Sequence, residues 1–180
     1  MNAVVVGISD CRVSSDPESV LVTYALGSCI AVMIHDPVAG VAGLLHYMLP
    51  ESSIDREKAK QNPFMFADTG IPLLFHSAYG LGADKRRIVV SVAGGAQVMD
   101  ADGVFNIGKR NHIALRRILW KAGVLVQAEE VGGTASRTVR LEVGSGKVRL
   151  RGAGEAERDL RPAAPQRKED FNGVQRADRG

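Results

Sequence analysis

The chain has 180 residues, 45% hydrophobic and 24% charged, the mixture of an ordinary globular protein with one sizeable core. A net charge of +3 spread along the chain, with only 5% aromatic residues, argues against nucleic-acid binding, which calls for a clustered basic face or a run of stacking platforms. No window reaches the roughly 18 apolar residues of a membrane span, and MNAVVVGISD lacks the basic start and apolar stretch of a signal peptide. The expectation is a cytoplasmic protein, not inserted in a membrane, whose two cysteines are both thiols.

In chain order, AVVV (3–6) and SVLVTYAL (19–26) read as strands, with SDCRVSSDP and its Cys11 as a loop between them. CIAVMIHD and VAGLLHYML are two further strands, separated by the turn residues PVAG. ESSIDREKAKQN (51–62) reads as a loop with some helix. ADTGIPLLFHSAYGLGA is helical, capped by Asp68 or Thr69, with Pro72 in an early turn and one apolar face of Ile71, Leu74, Phe75, Ala78 and Leu81. RIVVSVAGG is a buried strand ending in two glycines. FNIGKRNHIALRRILWKAG is a second helix with Asn106 as cap and Gly123 as stop. Its inner stripe is Leu115, Ile118, Leu119 and Ala122, and its outer side carries Lys109, Arg110, Arg116, Arg117 and Lys121. VLVQAEEV, SRTVRLEV and KVRLR follow as strands with Gly-rich turns. Strands, helix, strand, helix, strands predict an α+β fold, a mixed or antiparallel β-sandwich with flanking helices rather than a doubly wound one.

Composition changes near residue 151, where charges of both signs mix with Gly, Pro and Ala, and Leu160, Phe171 and Val174 are the only large apolar residues. Such a segment buries too little surface to offset its ordering entropy. The expected division is a folded domain over 1–150 and a disordered tail over 151–180, with a short helix around residues 155–161 as the alternative.

The apolar stretch TYALGSCIAVMIHDPVAGVAGLLHYMLP holds a cysteine near one end and a histidine near the other. A free cysteine is usually a small buried hydrophobe, and a histidine in GLLHYML reads on its own as a satisfied core residue. Hairpin register changes that balance. If residues 36–39 form the connection, His35 faces Gly40, Ala31 faces Leu44, and Cys29 faces His46. Directly opposed Cβ atoms lie about 4.5–5.5 Å apart, close enough for a nucleophile–base couple. The small residues of LGS before Cys29 let the backbone turn tightly, so that the amides of Ser28 and Cys29 could hold an oxyanion. Thr23, on the preceding strand, is a strand residue by itself and a candidate orienter of the base; Asp68 and Asn106 are alternatives for that role. His35 reads as a turn residue, and His76 and His112 as exposed helix residues. Four histidines without HxxxH or ExxH spacing predict no metal site. VAGGAQ lacks the spacing of a nucleotide fingerprint, so no cofactor is expected.

These motifs together resemble the CheD family, the bacterial chemoreceptor glutamine deamidases. The likeness runs through the stretch quoted above, FADTGIPLL, VAGGAQVM, NIGKRN and AEEVGGTASRTVRLEVGSGKVRL, and covers roughly residues 4–150 in order; GIP replaces the more common ALP. The resemblance implies an α/β sandwich related to the cysteine deamidase domain of certain bacterial toxins, with a site of Cys29, His46 and Thr23. It implies thioester chemistry on a glutamine of a methyl-accepting chemotaxis protein, with His46 as base, acid and base again, a sequence of roles suited to a pKa near neutrality. Some members also act on receptor methyl esters and bind the phosphatase CheC. Two competing readings are an adaptor that binds receptors or CheC without needing Cys29, and a redox-sensing thiol with Cys11 as resolving partner.

Overall fold

The computed structural model describes residues 1–98 and 105–160. Among the described residues, ten strands form two five-stranded sheets. One has the order β1 (Asn2–Val5), β3 (Ser19–Leu26), β8 (Arg137–Glu142), β9 (Val148–Gly152), β10 (Arg158–Asp159). The other has the order β2 (Asp10–Ser14), β5 (Val41–Tyr47), β4 (Ile30–Asp36), β6 (Val89–Gly94), β7 (Ala128–Val131). Among these described strands, β1–β3 and β6–β7 pair in parallel and the other pairs are antiparallel. Three α-helices accompany them: α1 (Arg56–Gln61), α2 (Ala67–Gly80) and α3 (Ile107–Lys121). The expected α+β sandwich with flanking helices is the observed architecture.

The layers explain the apolar run around the hairpin. Ala31, Met33, Ala42 and Leu44 pack with Leu21, Val139, Leu141 and Leu150 of the first sheet. Ile30, Val32, Ile34, Val41, Leu45 and Tyr47 pack on the other face with Ile71, Leu74 and Phe75 of α2 and Leu115 and Leu119 of α3. Every residue of β4 and β5 is buried. A strand covered on both faces reads as a continuous hydrophobic segment rather than an alternating one.

The hairpin register differs from the expected one. Asp36 pairs with Val41 and Ala31 with His46, so the four-residue connection is Pro37–Gly40 and not residues 36–39. Asp36 stays in the strand because its carboxylate accepts from Val38 N–H, Ala39 N–H and Asp84 N–H, and from Arg87 Nε–H and Nη2–H. Arg87 holds that carboxyl well below the usual carboxylate range. The slip is two residues, which preserves the faces, since side-chain direction has period 2.

Other expectations are corrected too. SDCRVSSDP is not a loop: β2 runs through it, and Cys11 is buried opposite Leu45. Its alternation is masked by Arg12 and Ser14 on an edge strand. His35 is a strand residue, buried at the inter-sheet face, where Nε2–H donates to the Val143 carbonyl at 3.1 Å. Helix α2 begins at Ala67 after an extended Phe66 without a side-chain cap, while Asp68 instead accepts from Ser52 N–H and Oγ–H. Leu81 and Ala122 lie beyond the buried stripes and are exposed. Of the segment assigned to a tail, 151–152 close β9, and 158–159 form β10 rather than a helix; Leu160 packs on the inter-sheet core. Phe171 and Val174 lie outside the described residues.

Helix α3 is seated by a close backbone approach. A Cβ on Gly108 would collide with the carbonyl oxygen of Gly95, one residue past the end of β6. Gly108→Ala is therefore expected to lose about 1–3 kcal/mol of stability, read as a lowered midpoint in urea denaturation; an unchanged midpoint would contradict the contact.

Candidate active site

The segment Gly27-Ser28-Cys29 crosses from β3 in one sheet to β4 in the other. Its three carbonyls are all bound. Gly27 C=O accepts from Ala96 N–H and Cys29 C=O from Gly95 N–H, each at 2.8 Å, and Ser28 C=O accepts from Asn111 Nδ2–H at 3.0 Å. The crossing is sharp. Ala25 has a φ of +52°, and the β3–β8 register shifts between Thr23 and Leu26. Such a bulge bends a strand and re-aims its side chains.

Thr23 precedes the bulge and is fully buried, as is His46. Their contact spans the two sheets: Thr23 Oγ1 lies 2.7 Å from His46 Nδ1 and 2.8 Å from the Val6 carbonyl oxygen. A hydroxyl has one proton, and a carbonyl can only accept. Thr23 therefore donates to Val6 and accepts from His46 Nδ1–H. This sets the tautomer: Nε2 carries the lone pair. Nε2 is buried and has no hydrogen-bond partner among the described residues. Burial lowers the His46 pKa to about 4, so the imidazole is neutral across the physiological range, well below the near-neutral value expected from its role.

Cys29 lies immediately before β4, partly buried, and packs against the same inter-sheet cluster as Ala31, the cross-strand partner of His46. The Cys29–His46 relation is thus diagonal, for which Cβ separations are roughly 7–8 Å or somewhat less. Burial raises the thiol pKa, partly offset by the hydrogen bond of its own amide. A cavity of about 540 Å³ opens at Cys29, walled by Gly27, Ser28, Gln97, Val98, Phe105, Ile107 and Ser136. A larger groove of about 860 Å³ adjoins it at Gln97 but does not reach Cys29. Its acids are paired with bases, Glu130 with Arg137 and Arg158, and Glu129 with Arg116 and His112.

The remaining candidates fall elsewhere. Cys11 belongs to the core on the opposite face of the β5 sheet from Cys29, and burial pushes its thiol up to about 12. A Cys11–Cys29 disulfide would have to pass through that sheet. Asp68 bonds Ser52, and Asn106 Oδ1 accepts from Gln97 Nε2–H, so of the three proposed orienters Thr23 is the one hydrogen-bonded to His46. His76 is exposed and His112 only half so. Among the described residues no cluster of His, Cys, Asp and Glu could hold a metal ion, and no helix is long and apolar enough to cross a membrane. Sequence reasoning missed Asn111, the last residue of NIGKRN, which is fully buried against the crossing segment. A polar residue on the apolar side of an amphipathic helix was the available signal.

Because His46 is neutral when folded and titrates near 6.5 when unfolded, the unfolded chain binds more protons between those values. Stability is then fully present above about pH 6.5 and falls on acidification toward about pH 4. From about pH 7 to about pH 5, His46 is expected to account for about 2 kcal/mol of lost stability. Urea denaturation of wild type and His46→Gln at both values checks this; equal pH dependence of the two would refute the burial argument.

A protein-family model described as "CheD chemotactic sensory transduction" matches residues 48–152, a stretch that begins just after His46. The chain is 56% identical to "Probable chemoreceptor glutamine deamidase CheD" of Solibacter usitatus, over 93% of this chain and 98% of that one. That match takes in Thr23, Cys29 and His46 whichever ends are trimmed. It is 54% identical to "Probable chemoreceptor glutamine deamidase CheD 1" of Syntrophus aciditrophicus, over 89% of this chain and 100% of that one. It is 53% identical to "Probable chemoreceptor glutamine deamidase CheD 2" of Anaeromyxobacter dehalogenans, over 82% and 93%.

Proposed function

We propose that this chain, which belongs to the CheD family, is a chemoreceptor glutamine deamidase that works through Cys29, His46 and Thr23. The observation that carries the reading is the Thr23 hydroxyl held between the Val6 carbonyl and His46 Nδ1–H. It leaves Nε2 as a bare acceptor on the face toward which Cys29 packs.

In the proposed reaction His46 Nε2 takes the thiol proton as sulfur attacks the side-chain carboxamide of a receptor glutamine. The N–H groups of Ser28 and Cys29 hold the oxyanion; the carbonyls of this segment are already bound to the scaffold. His46 returns its proton to the departing nitrogen, ammonia leaves, and a thioester to Cys29 remains. Water, deprotonated by the same nitrogen, cleaves the thioester and leaves glutamate and a free thiol. Burial raises the thiol and lowers the imidazole, so the resting couple is uncharged. Proton transfer then accompanies attack rather than preceding it. The substrate lies on the cytoplasmic part of a methyl-accepting chemotaxis protein, which places the enzyme in the cytoplasm; a CheC-type phosphatase is a second proposed partner.

Cys29→Ala and His46→Ala are each expected to end ammonia release from receptor while circular dichroism stays that of wild type. Mass spectrometry of the receptor reports the loss of Gln-to-Glu conversion, and full activity of Cys29→Ala would end the proposal. A Cys29→Ala chain that still binds receptor would have an adaptor role besides. Thr23→Val, which removes the tautomer anchor, should lower kcat by roughly 10²-fold. The acid limb of kcat/KM should lie well below the ordinary imidazole range, because burial holds His46 neutral there; a limb near pH 6.5 would contradict it.

A further inference from the structure

We infer that Asn111 is a positioning residue for the Cys29–His46 couple, an inference that rests on the proposed function above. The β4–β5 ladder ends at the pair Ile30–Tyr47. Cys29 lies one residue outside that pair on one strand, and Met48 one residue outside on the other. At this open end two antiparallel chains have no further ladder bonds to hold them together. Asn111, on α3, replaces them: its Nδ2 donates to Ser28 C=O at 3.0 Å and to Met48 C=O at 2.7 Å. Both amide hydrogens are thereby used, and a flipped amide would set an oxygen against two carbonyls, so the orientation is determined by its partners.

The bridge is itself held. Asn111 is fully buried, and Tyr47, the last residue of β5, donates its hydroxyl to the Asn111 carbonyl at 2.7 Å. Burial keeps that phenol protonated, well above its usual range. The clamp therefore joins the residue before the nucleophile to the residue two beyond the base. Without it the two ends can splay, and a misplacement of about 1 Å in a reacting pair can cost 10²-fold.

The test uses the full chain with Asn111→Ala and Asn111→Asp. Deamidation kcat and KM are measured, together with the pH profile of Cys29 alkylation by iodoacetamide, followed at Cys29 by peptide mass mapping. In folded Asn111→Ala, kcat should fall at least about tenfold with KM within about twofold, and Cys29 alkylation near neutrality should drop toward that of His46→Ala. The activity of Asn111→Asp relative to wild type should rise as pH is lowered from about 8 to about 6. Its carboxylate repels both carbonyls, whereas its protonated form donates to one. A folded Asn111→Ala chain with wild-type kcat and alkylation profile overturns the inference, as does a loss carried by KM alone. If Asn111→Ala does not fold, Asn111→Ser decides, because its hydroxyl can serve one carbonyl. A folded Ser variant with reduced kcat supports positioning; wild-type kcat, or a second failure to fold, overturns it. If wild type releases no ammonia the functional reading fails, and the alkylation arm still judges Asn111.

Discussion

One hydroxyl proton organises the site. Thr23 can give its hydrogen to only one acceptor, and the Val6 carbonyl, which cannot donate in return, takes it. Everything else about the imidazole follows. Nδ1 must carry hydrogen to satisfy Thr23, so Nε2 cannot. The same hydroxyl is the polar link between the two sheets at this point, because Thr23 belongs to one and His46 to the other. Sandwich packing and base orientation are thus one interaction. A carboxylate in place of Thr23 would also hold the ring, but would pull the imidazole toward its charged form. A neutral hydroxyl sets direction without adding charge.

That neutrality suits the layer in which His46 lies. His46 sits on a strand covered on both faces and paired on both edges. An isolated ion there would be costly, and the chain avoids one by keeping both members of the couple uncharged at rest. In the proposed reaction, charge appears only together with the oxyanion and disappears when ammonia leaves. Among the described residues a fully buried charge is found elsewhere, at Asp36. Asp36, at the far end of β4, takes Arg87 and three backbone amides.

Much of this was legible from the chain itself. Ser19–Leu26 was readable to the residue, and the Cys–His hairpin was visible as an apolar run with two reactive side chains in it. What escaped was information carried by contacts distant in sequence. The hairpin register depended on Asp36, whose partner Arg87 lies in the turn before β6, so turn residues alone placed the connection one position early. Because the slip in pairing is even, the side-chain faces of the hairpin are kept, but Cys29 and His46 stand diagonal to one another rather than directly opposed as expected. Strand β2 was missed because an edge strand needs only one buried face, and two inward residues are too few to show a period. Asn111 could be recognised as motif but not as function, since its meaning lies in two carbonyls more than sixty residues away.

The double burial of β5 has a temporal side. Opening β5 to solvent means parting it from β2, β4, the opposing sheet and α2 together, which amounts to global unfolding. The segment 27–29 is half-buried and held by three hydrogen bonds to loops and one helix side chain, so it can open locally at far smaller cost. Amide protons near His46 are therefore expected to exchange with the slowest set, and those near Cys29 with a faster one. In the proposed reaction the couple joins a fixed base to a nucleophile with some give, and that latitude is available where sulfur would move toward a carbonyl and back.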